Sequence, residues 1–175
     1  VGLVIVEATN SVLFGKELTA QNLRPLVDAI HQGGALAAIQ LFPFVRGQKL
    51  KPADLSLGDI ERLLDQYRLA ADICAGAGFD GMEPHGAHNY LLNQFFSPMQ
   101  NARTDDYGGS IEGRMRLAVQ IVQAIAPAAR QADMLLLYRH TPVRVDYGIE
   151  DSLVLARALL AAGVDILDIS PASDA

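Results

Sequence analysis

Cysteine is almost absent from this 175-residue sequence, in which Cys74 is the only one. A single thiol excludes an internal disulfide and a metal site built from several cysteines, and it fits a reducing, cytoplasmic setting. Long apolar runs are also lacking, since no stretch approaches the roughly 18 residues of a membrane-spanning helix. No signal peptide is visible. We therefore expect a cytoplasmic protein with no membrane partner.

An excess of positive charge is missing as well. The sequence has 14 Lys and Arg against 20 Asp and Glu, a formal net charge of -6, and its basic residues are scattered. Binding to a phosphate backbone needs a basic surface, so we expect no nucleic-acid partner. Half of the residues are apolar and 19% are charged, which is typical of a folded globular domain and not of a disordered chain.

Five short apolar runs predict the strands of a parallel sheet, because they are nearly continuous in apolar residues and do not alternate. They cover residues 2–8, 35–42, 79–85, 133–140 and 164–170. The stretches between them predict helices over residues 19–32, 56–76, 110–126 and 150–162. Ser56 and Ser110 are the expected N-caps of two of these helices. The fold class is therefore α/β, with crossovers long enough for parallel pairing.

A weak internal repeat supports this order of elements. AGFDGMEPH (77–85) and AGVDILDIS (162–170) share Ala-Gly, an apolar residue and an Asp before a strand, and HQGGALAAIQ (31–40) is a looser third copy. In each copy we expect a glycine to end the helix in a left-handed conformation.

A doubly wound sheet and part of a (β/α)8 barrel both fit the order of elements, and two observations favour the barrel. No G-x-G-x-x-G fingerprint follows any strand. Polar residues also gather at the carboxyl ends of successive strands, which is where the active site of such a barrel forms. A whole barrel needs about 250 residues. We therefore expect a partial (β/α)8 TIM barrel of five parallel strands, a single incomplete domain over residues 1–175 that is truncated at both ends.

Two of the four histidines, His85 and His88, lie in the polar run EPHGAHNYLLNQFFSP, residues 83–98. The pair could ligate a metal, although no third ligand is obvious and helical metal pairs usually lie four residues apart. It could instead hold a loop together by bonding to backbone. A third interpretation is two neutral imidazole donors directed at one substrate oxygen, where they would stabilise negative charge. Spacing alone leaves all three open.

Three other side chains are candidates for chemistry. Tyr90 could deliver a proton to a strongly basic carbanion, or it could be an aromatic packed under the barrel rim. Gln40 ends a strand with both a donor and an acceptor, which suits a pyrimidine-like edge. Arg139 could stabilise an anionic ring atom, or it could form a buried ion pair with Glu83 or Asp168, since an unpaired buried charge is very costly.

The polar stretch 101–114 is interpreted as structural. Its Gly108-Gly109-Ser110 step indicates a turn followed by a helix N-cap. We expect four charged residues to tie this loop to its neighbours: Arg103, Asp105, Asp106 and Arg114.

The stretch AGFDGMEPHGAHNYLLNQFFSPMQNARTDDYGGSIEGRMRL resembles, without a gap, the signature of the Old Yellow Enzyme family of FMN-dependent NADH:flavin oxidoreductases and ene-reductases. The runs GLVIVEAT, AIQLF, LLLYRHTP and DILDIS resemble the second, third, fifth and sixth strands of the family's barrel. The resemblance thus covers essentially the whole chain. It implies a barrel with FMN at its carboxyl-terminal mouth, NADH or NADPH as reductant, and an activated alkene such as an enone, or a related nitro or phenolic ligand, as the small-molecule partner.

The resemblance also implies a role for individual residues. His85 and His88 match the pair that binds a substrate oxygen, and Tyr90 matches the proton donor of many members. For the cofactor, Gln40 matches the residue that bonds the flavin pyrimidine and Ala8 the small residue beside the ring. Arg139 matches the cation beside flavin N1 and O2. No metal ligand is expected.

Several departures accompany the resemblance. Phe42-Pro43 stands where Trp-His is usual after Gln-Leu, and His140-Thr141 stands where Leu-Ser is commoner. The family's flavin phosphate site lies on strands outside residues 1–175, so we expect this chain alone to bind FMN weakly and its open barrel edges to allow self-association. Two alternatives remain: a non-catalytic barrel fragment, and a metal-dependent barrel hydrolase using His85 and His88.

Overall fold

The five predicted strands form one parallel sheet in the computed structural model, which describes residues 2–43 and 50–171. Their bounds are β1 Gly2–Asn10, β2 Ala35–Phe42, β3 Gly81–Gly86, β4 Leu135–His140 and β5 Ile166–Ile169. The strands are hydrogen-bonded in chain order, β1-β2-β3-β4-β5, and every pair is parallel. The register of β1 against β2 shifts between Val6 and Thr9.

This strand order distinguishes the two folds that the sequence leaves open. A doubly wound sheet reverses its order at a switch point, and ligands bind there. Here each strand lies next to its predecessor without reversal, so right-handed crossovers place successive helices on the same side of the sheet. The chain therefore forms a partial (β/α)8 barrel, as predicted.

Five α-helices connect or follow the strands. Their bounds are α1 Ala20–Gln32, α2 Leu57–Ala77, α3 Leu91–Phe96, α4 Ile111–Gln131 and α5 Ile149–Ala162. Short 3-10 turns cover Ser11–Leu13 and Pro52–Asp54. Within the described ranges, no helix combines the length and apolar character that crossing a membrane requires.

The predicted N-caps agree with the structure, whereas the end of one helix and the presence of another were not predicted. Ser56 and Ser110 each accept a hydrogen bond from the backbone of the first turn that follows, as predicted. The predicted helix 110–126 stops before Pro127, but α4 continues to Gln131. An interior proline removes one backbone donor and disfavours the helix, but here the turn beyond it buries Ala129 in the core. No prediction covers α3, whose six residues are all buried.

The hydrophobic core lies between the sheet and the helix layer. From the sheet it receives Ile39, Leu41, Met82, Leu136 and Tyr138, which are all at most 2% exposed. Successive crossover helices pack against one another, α1 with α2, α2 with α4 and α4 with α5. The fully buried Tyr138 also explains Gly86 in the neighbouring strand, because a Cβ there would lie 2.1 Å from the Tyr138 hydroxyl oxygen.

The internal repeat has a structural explanation at the amino-terminal edge of the sheet. Gly78 and Gly163 end α2 and α5 with φ of 91° and 117°, as expected. The aspartate two residues later then extends the strand ladder. Asp80 accepts from the Ala37 amide at 2.7 Å, and Asp165 accepts from the Leu136 amide at 2.8 Å. Each motif therefore stops a helix and attaches the next strand to its neighbour.

The loop between α3 and α4 is tied down as predicted. Arg103 donates to the carbonyls of Pro52 and Leu55 at 2.5 Å and forms an ion pair with Asp105. Arg114 donates to the Phe96 carbonyl at 3.0 Å. Asp106 contributes through its backbone carbonyl, which accepts from Arg116 at 2.7 Å. The contacts of this polar stretch thus tie it to the loop before α2, to the end of α3 and to α4.

Replacing the strand-attaching aspartate should weaken the fold. In Asp165→Ala the Leu136 amide loses its side-chain acceptor, and we expect the free energy of unfolding to fall by about 1 kcal/mol. Urea denaturation followed by circular dichroism measures the change. The matched control is Asp72→Ala on the exposed face of α2, which should change stability by less than about 0.5 kcal/mol. Equal losses in the two variants would contradict a role for the Asp165 carboxylate.

Candidate active site

The carboxyl ends of β2, β3 and β4 bring three predicted site residues onto one rim of the sheet. Arg139 lies opposite His85 in the register of β3 and β4, and Gln40 lies opposite Glu83 in the register of β2 and β3. Side chains in register share a face of the sheet. Ala8 lies within the bounds of β1, but its side chain is outside the described part of the structure.

Four aromatic rings form a cluster above this rim. The His85 ring centroid lies 5.3 Å from that of His88 and 4.7 Å from that of Tyr90. Tyr90 also meets Phe42 edge-on at 5.1 Å. Tyr90 is 38% exposed, so it is not an aromatic packed beneath the rim. The structure therefore brings the two histidines and the tyrosine together on a surface that a ligand can reach.

A left-handed turn directs the chain from β3 over the rim. His88 and Asn89 have φ of 53° and 62°, a conformation that costs energy in a residue with a side chain. Surrounding hydrogen bonds hold the turn in place. The His88 amide donates to Thr141 Oγ1 at 3.2 Å, and the Asn89 amide donates to Asn93 Oδ1 at 3.0 Å. Gln94 Nε2 donates to the Asn89 carbonyl at 2.7 Å.

The loop after β4 braces this turn through α3. Tyr147 donates its hydroxyl proton to the Thr141 carbonyl at 2.8 Å and accepts from Asn93 Nδ2 at 2.8 Å. Ser97, just after α3, donates to the Asp146 carboxylate. The turn carrying His88 thus depends on a buried polar network joining α3 to residues 141–147.

Glu83 is a site residue to which the sequence assigns no role of its own. Its side chain is 0% exposed, and Oε1 accepts from Gln40 Nε2 at 2.7 Å. A carboxylate oxygen can accept but not donate, so this bond turns the Gln40 amide with its NH2 group toward Glu83. The Gln40 carbonyl oxygen is then the end of the amide left to accept a hydrogen bond from a ligand.

Arg139 has the acidic partner that the ion-pair interpretation requires. Its Nε lies 3.4 Å from Asp168 Oδ2, and its Nη2 donates to Ser170 Oγ at 3.2 Å. The Arg139 side chain is 25% exposed, so it is not fully enclosed by this pair. An ion pair with Asp168 and contact with a ligand are therefore compatible.

Burial favours the neutral forms of the two innermost titratable groups. It raises the pKa of Glu83, as does the nearby Asp168, while the hydrogen bond from Gln40 and the charge of Arg139 act in the opposite direction. The pKa of His85 falls to about 4 because of burial first, and then because of His88 and Arg139. His85 is therefore a neutral imidazole at neutral pH, as the oxygen-binding interpretation requires.

Among residues 2–43 and 50–171, the buried polar atoms without a hydrogen-bond partner include Glu83 Oε2, His85 Nδ1 and Arg139 Nε at the rim. Of these, Arg139 Nε still has an ionic partner, Asp168 Oδ2, at 3.4 Å. Unpaired polar atoms of this kind are costly and rare in folded proteins. They fit a ligand with polar groups of its own. A flavin ring offers such groups, and the Gln40 carbonyl and the Arg139 cation suit its imide N–H and its electron-rich edge.

The described residues provide no group of three or more His, Cys, Asp or Glu side chains that could hold a metal ion. His85 and His88 come together only as a pair. The metal interpretation of the pair therefore gains no third ligand from this part of the chain.

His140, the residue after Arg139, has a structural role. Its side chain faces the helix layer, where its ring lies 5.6 Å from Phe96 and 6.2 Å from Tyr147, and its Nε2 lies 2.8 Å from Ser152 Oγ. Burial lowers the pKa of His140 to about 4. The histidine joins β4 to α5 and does not reach the rim.

Sequence reasoning leaves two contributors at the rim without a function. Glu83 enters the sequence prediction only as a possible ion-pair partner of Arg139, and Ser170 only as one of the polar residues that gather at the strand ends. The available signal is the alternation of side chains along a strand, since Glu83 lies two residues before His85 and Ser170 two residues after Asp168. Their partners become known only from the register between strands.

Known proteins resemble this chain along most of its length. The sequence profile of the "NADH:flavin oxidoreductase / NADH oxidase family" matches residues 7–158. A putative 12-oxophytodienoate reductase 6 from Oryza sativa subsp. japonica is 36% identical over 166 residues, covering 71% of this chain and 41% of the relative. An NADPH dehydrogenase from Halalkalibacterium halodurans is 34% identical over 199 residues, covering 97% and 58%. The chain thus spans about half the length of these relatives.

A solved structure agrees with the fold. Morphinone reductase in complex with tetrahydroNAD superposes with a TM-score of 0.81 at 27% sequence identity, covering 95% of this chain and 60% of that one. The fold of this chain therefore matches that of about 60% of the solved protein.

Glu83 should matter through its acceptor oxygen and not through its charge. In Glu83→Leu the Gln40 NH2 group loses its acceptor, and we expect the free energy of unfolding at pH 7 to fall by about 1–3 kcal/mol. In Glu83→Gln an acceptor oxygen remains and the buried charge is gone, so stability should be retained. Denaturant unfolding of the two variants measures the difference, and an equal loss in both would contradict this assignment.

Acid should destabilise the fold through the buried histidines. The pKa of His85 and of His140 is lowered from 6.5 to about 4, so below pH 6.5 the unfolded chain binds protons that the folded chain does not. The free energy of unfolding therefore decreases as the pH falls from 6.5 to about 4. Each histidine contributes at most about 1.4 kcal/mol per pH unit.

The contribution of one histidine can be isolated by difference. The raised pKa of Glu83 has the opposite effect, because it favours the folded state as acid is added. Both the unmodified protein and His140→Gln contain Glu83. Subtracting the free energy of unfolding of His140→Gln from that of the unmodified protein at each pH therefore cancels the effect of Glu83. The difference should shrink as the pH falls through this window. A difference that is constant from pH 7 to 4 would show that His140 titrates alike in both states.

Proposed function

The chain belongs to the NADH:flavin oxidoreductase / NADH oxidase family, and on that premise we propose that it forms the central part of an FMN-dependent oxidoreductase. NADH or NADPH is the reductant, and an activated alkene such as an enone, or a related acceptor, is the substrate. The observation that carries the proposal is the cluster of His85, His88 and Tyr90 on the same rim as Gln40 and Arg139. Relatives named as a reductase and a dehydrogenase support it.

Gln40 and Arg139 are the proposed cofactor-binding side chains, together with Ala8. FMN, when bound, supplies the exchange of hydride between the nicotinamide and the acceptor. Gln40 accepts from the ring imide through its carbonyl oxygen, because Glu83 holds its NH2 group. Arg139 places a positive charge beside the ring, and the Asp168 carboxylate at 3.4 Å partly neutralises that charge.

His85 and His88 bind the oxygen of an enone, nitro or phenolic ligand. Their ring centroids are 5.3 Å apart and their planes are inclined by 75°, so the two rings can approach one atom from different directions. His85 Nδ1 has no partner within the described ranges. Donors fixed in advance stabilise negative charge that develops on a carbonyl during reduction, without reorganisation at the moment of reaction.

Tyr90 is the proposed proton donor. Its ring is held between Phe42 and His85 at 5.1 and 4.7 Å, and it is 38% exposed. A phenol is a weak acid, but a carbanion formed by hydride addition is far more basic and can take its proton. Phe42 stands where the family usually has Trp, so the wall beside Tyr90 is smaller than in typical members.

The setting of the reaction is part of the proposal. A cytoplasmic location fits the single cysteine, Cys74, which is buried. Self-association through the two outer strands is supported by apolar side chains exposed on them: Leu3, Val4, Ile166 and Ile169.

Tyr90→Phe separates proton delivery from the rest of the cycle. In a complete, FMN-loaded barrel that contains this chain, we expect alkene reduction to slow by about a hundredfold or more, the usual contribution of a general acid. Reduction of the flavin by NAD(P)H involves no proton from this residue and should be unchanged. Anaerobic stopped-flow absorbance measures the two half-reactions independently.

The matched control is Tyr107→Phe, which removes a phenol hydroxyl bonded to Gln120 at 2.9 Å, away from the rim. It should leave both half-reactions unchanged. Equal slowing of both half-reactions by Tyr90→Phe would overturn the proton-donor assignment. Absence of flavin reduction by either NADH or NADPH in the complete barrel would overturn the proposed function.

A further inference from the structure

Two histidine–serine pairs in this structure look alike but differ in the third group that each serine hydroxyl contacts. His88 Nε2 lies 2.7 Å from Ser170 Oγ, and His140 Nε2 lies 2.8 Å from Ser152 Oγ. A neutral imidazole has one N–H and one bare nitrogen, and a hydroxyl has one proton to donate. The third group therefore decides which member of each pair donates.

In the pair at the helix layer, the serine proton is already used. Ser152 Oγ lies 2.6 Å from the Pro142 carbonyl oxygen, which can only accept. Ser152 must donate its proton to that oxygen. The Ser152 oxygen can then only accept a hydrogen bond from His140, so His140 has to donate through Nε2–H.

In the pair at the rim, the serine meets a donor instead. Arg139 Nη2 lies 3.2 Å from Ser170 Oγ, and a guanidinium can only donate. One lone pair of Ser170 is therefore occupied while its proton remains available. Within residues 2–43 and 50–171, His88 Nε2 is the one acceptor that the structure provides for this proton. Donation to Nε2 leaves the His88 proton on Nδ1.

The backbone fixes both members of this second pair. The Ser170 amide donates to the His140 carbonyl at 2.9 Å, which extends the ladder between β4 and β5 by one residue. The His88 amide is held by Thr141 Oγ1 at 3.2 Å, in a left-handed turn. His88 follows β3 and Ser170 follows β5, on either side of β4. Both are thus tied by their backbone amides to the carboxyl end of β4, at His140 and Thr141.

We infer that Ser170 is a positioning residue that holds His88 in its Nδ1–H form, so that Nδ1–H is the donor His88 offers to a ligand oxygen. Ser170 also joins Arg139, on the proposed cofactor side, to His88, on the proposed substrate side, through one hydroxyl group. The catalytic meaning of this arrangement rests on the proposed function. The tautomer itself is a property of the chain and requires no flavin.

Long-range proton–nitrogen correlation spectra of the ¹⁵N-labelled protein test the inference, because the nitrogen shifts distinguish the two neutral tautomers. At about pH 8, above the ordinary pKa of histidine, we expect His88 as Nδ1–H and His140 as Nε2–H. Ser170→Ala should lower the ratio of Nδ1–H to Nε2–H in His88 by about fivefold, the factor that one net hydrogen bond is worth. Ser170→Thr keeps a hydroxyl and should preserve the ratio.

Ser152→Ala is the matched control, since it removes the same kind of contact from the other histidine. It should alter the signals of His140 and leave the tautomer of His88 unchanged, which excludes a general effect of serine removal. Circular dichroism confirms that each variant is folded.

Arg139→Met is a second test of the same contact. Removal of the guanidinium frees the lone pair of Ser170 that Arg139 occupies, so the fraction of His88 in the Nε2–H form should rise.

His88 found as Nε2–H in the unmodified protein, or unaffected by both Ser170→Ala and Arg139→Met, would overturn the inference. Neither result would bear on flavin reduction by NAD(P)H. Conversely, failure of flavin reduction would overturn the proposed function and leave the tautomer assignment standing.

Discussion

The parallel register between neighbouring strands is the constraint on which the site depends. It sets Gln40 opposite Glu83, His85 opposite Arg139, and Arg139 opposite Asp168. Side chains alternate between the two faces of a strand, so a slip of one residue would turn each group toward the helix layer. The site exists because backbone hydrogen bonds hold three consecutive strand pairs in this register, over a core that buries the opposite face.

Burial then decides the chemical character of the rim. It raises the pKa of Glu83 and lowers that of His85, so burial works against the charged form of each. The positive charge of Arg139 lies farther out, where Asp168 balances it and solvent reaches it. The rim therefore offers hydrogen-bond donors and acceptors beside a cation, an arrangement that suits a polar aromatic ring more than a metal ion.

Hydroxyl groups connect this rim to its support. Thr141 holds the backbone of His88, Ser170 joins the His88 ring to Arg139, and Tyr147 links Thr141 to α3. A hydroxyl both donates and accepts, so each one can hold two neighbouring groups in a defined orientation relative to each other. The strained turn at His88 and Asn89 persists because these contacts over-determine it.

The sequence by itself determined the class of fold and the membership of the rim. Continuous apolar runs require buried parallel strands, and the carboxyl ends of such strands share one edge, so Gln40, His85 and Arg139 were predictable as neighbours. The sequence did not determine α3, because six buried residues carry no helical periodicity that separates them from a buried loop. Only the tertiary structure decided that Glu83 orients Gln40 and that Ser170 meets His88, since those partners lie 43 and 82 residues apart. The register of β2 and β3 pairs the first two, and β4 brings the second two together between β3 and β5.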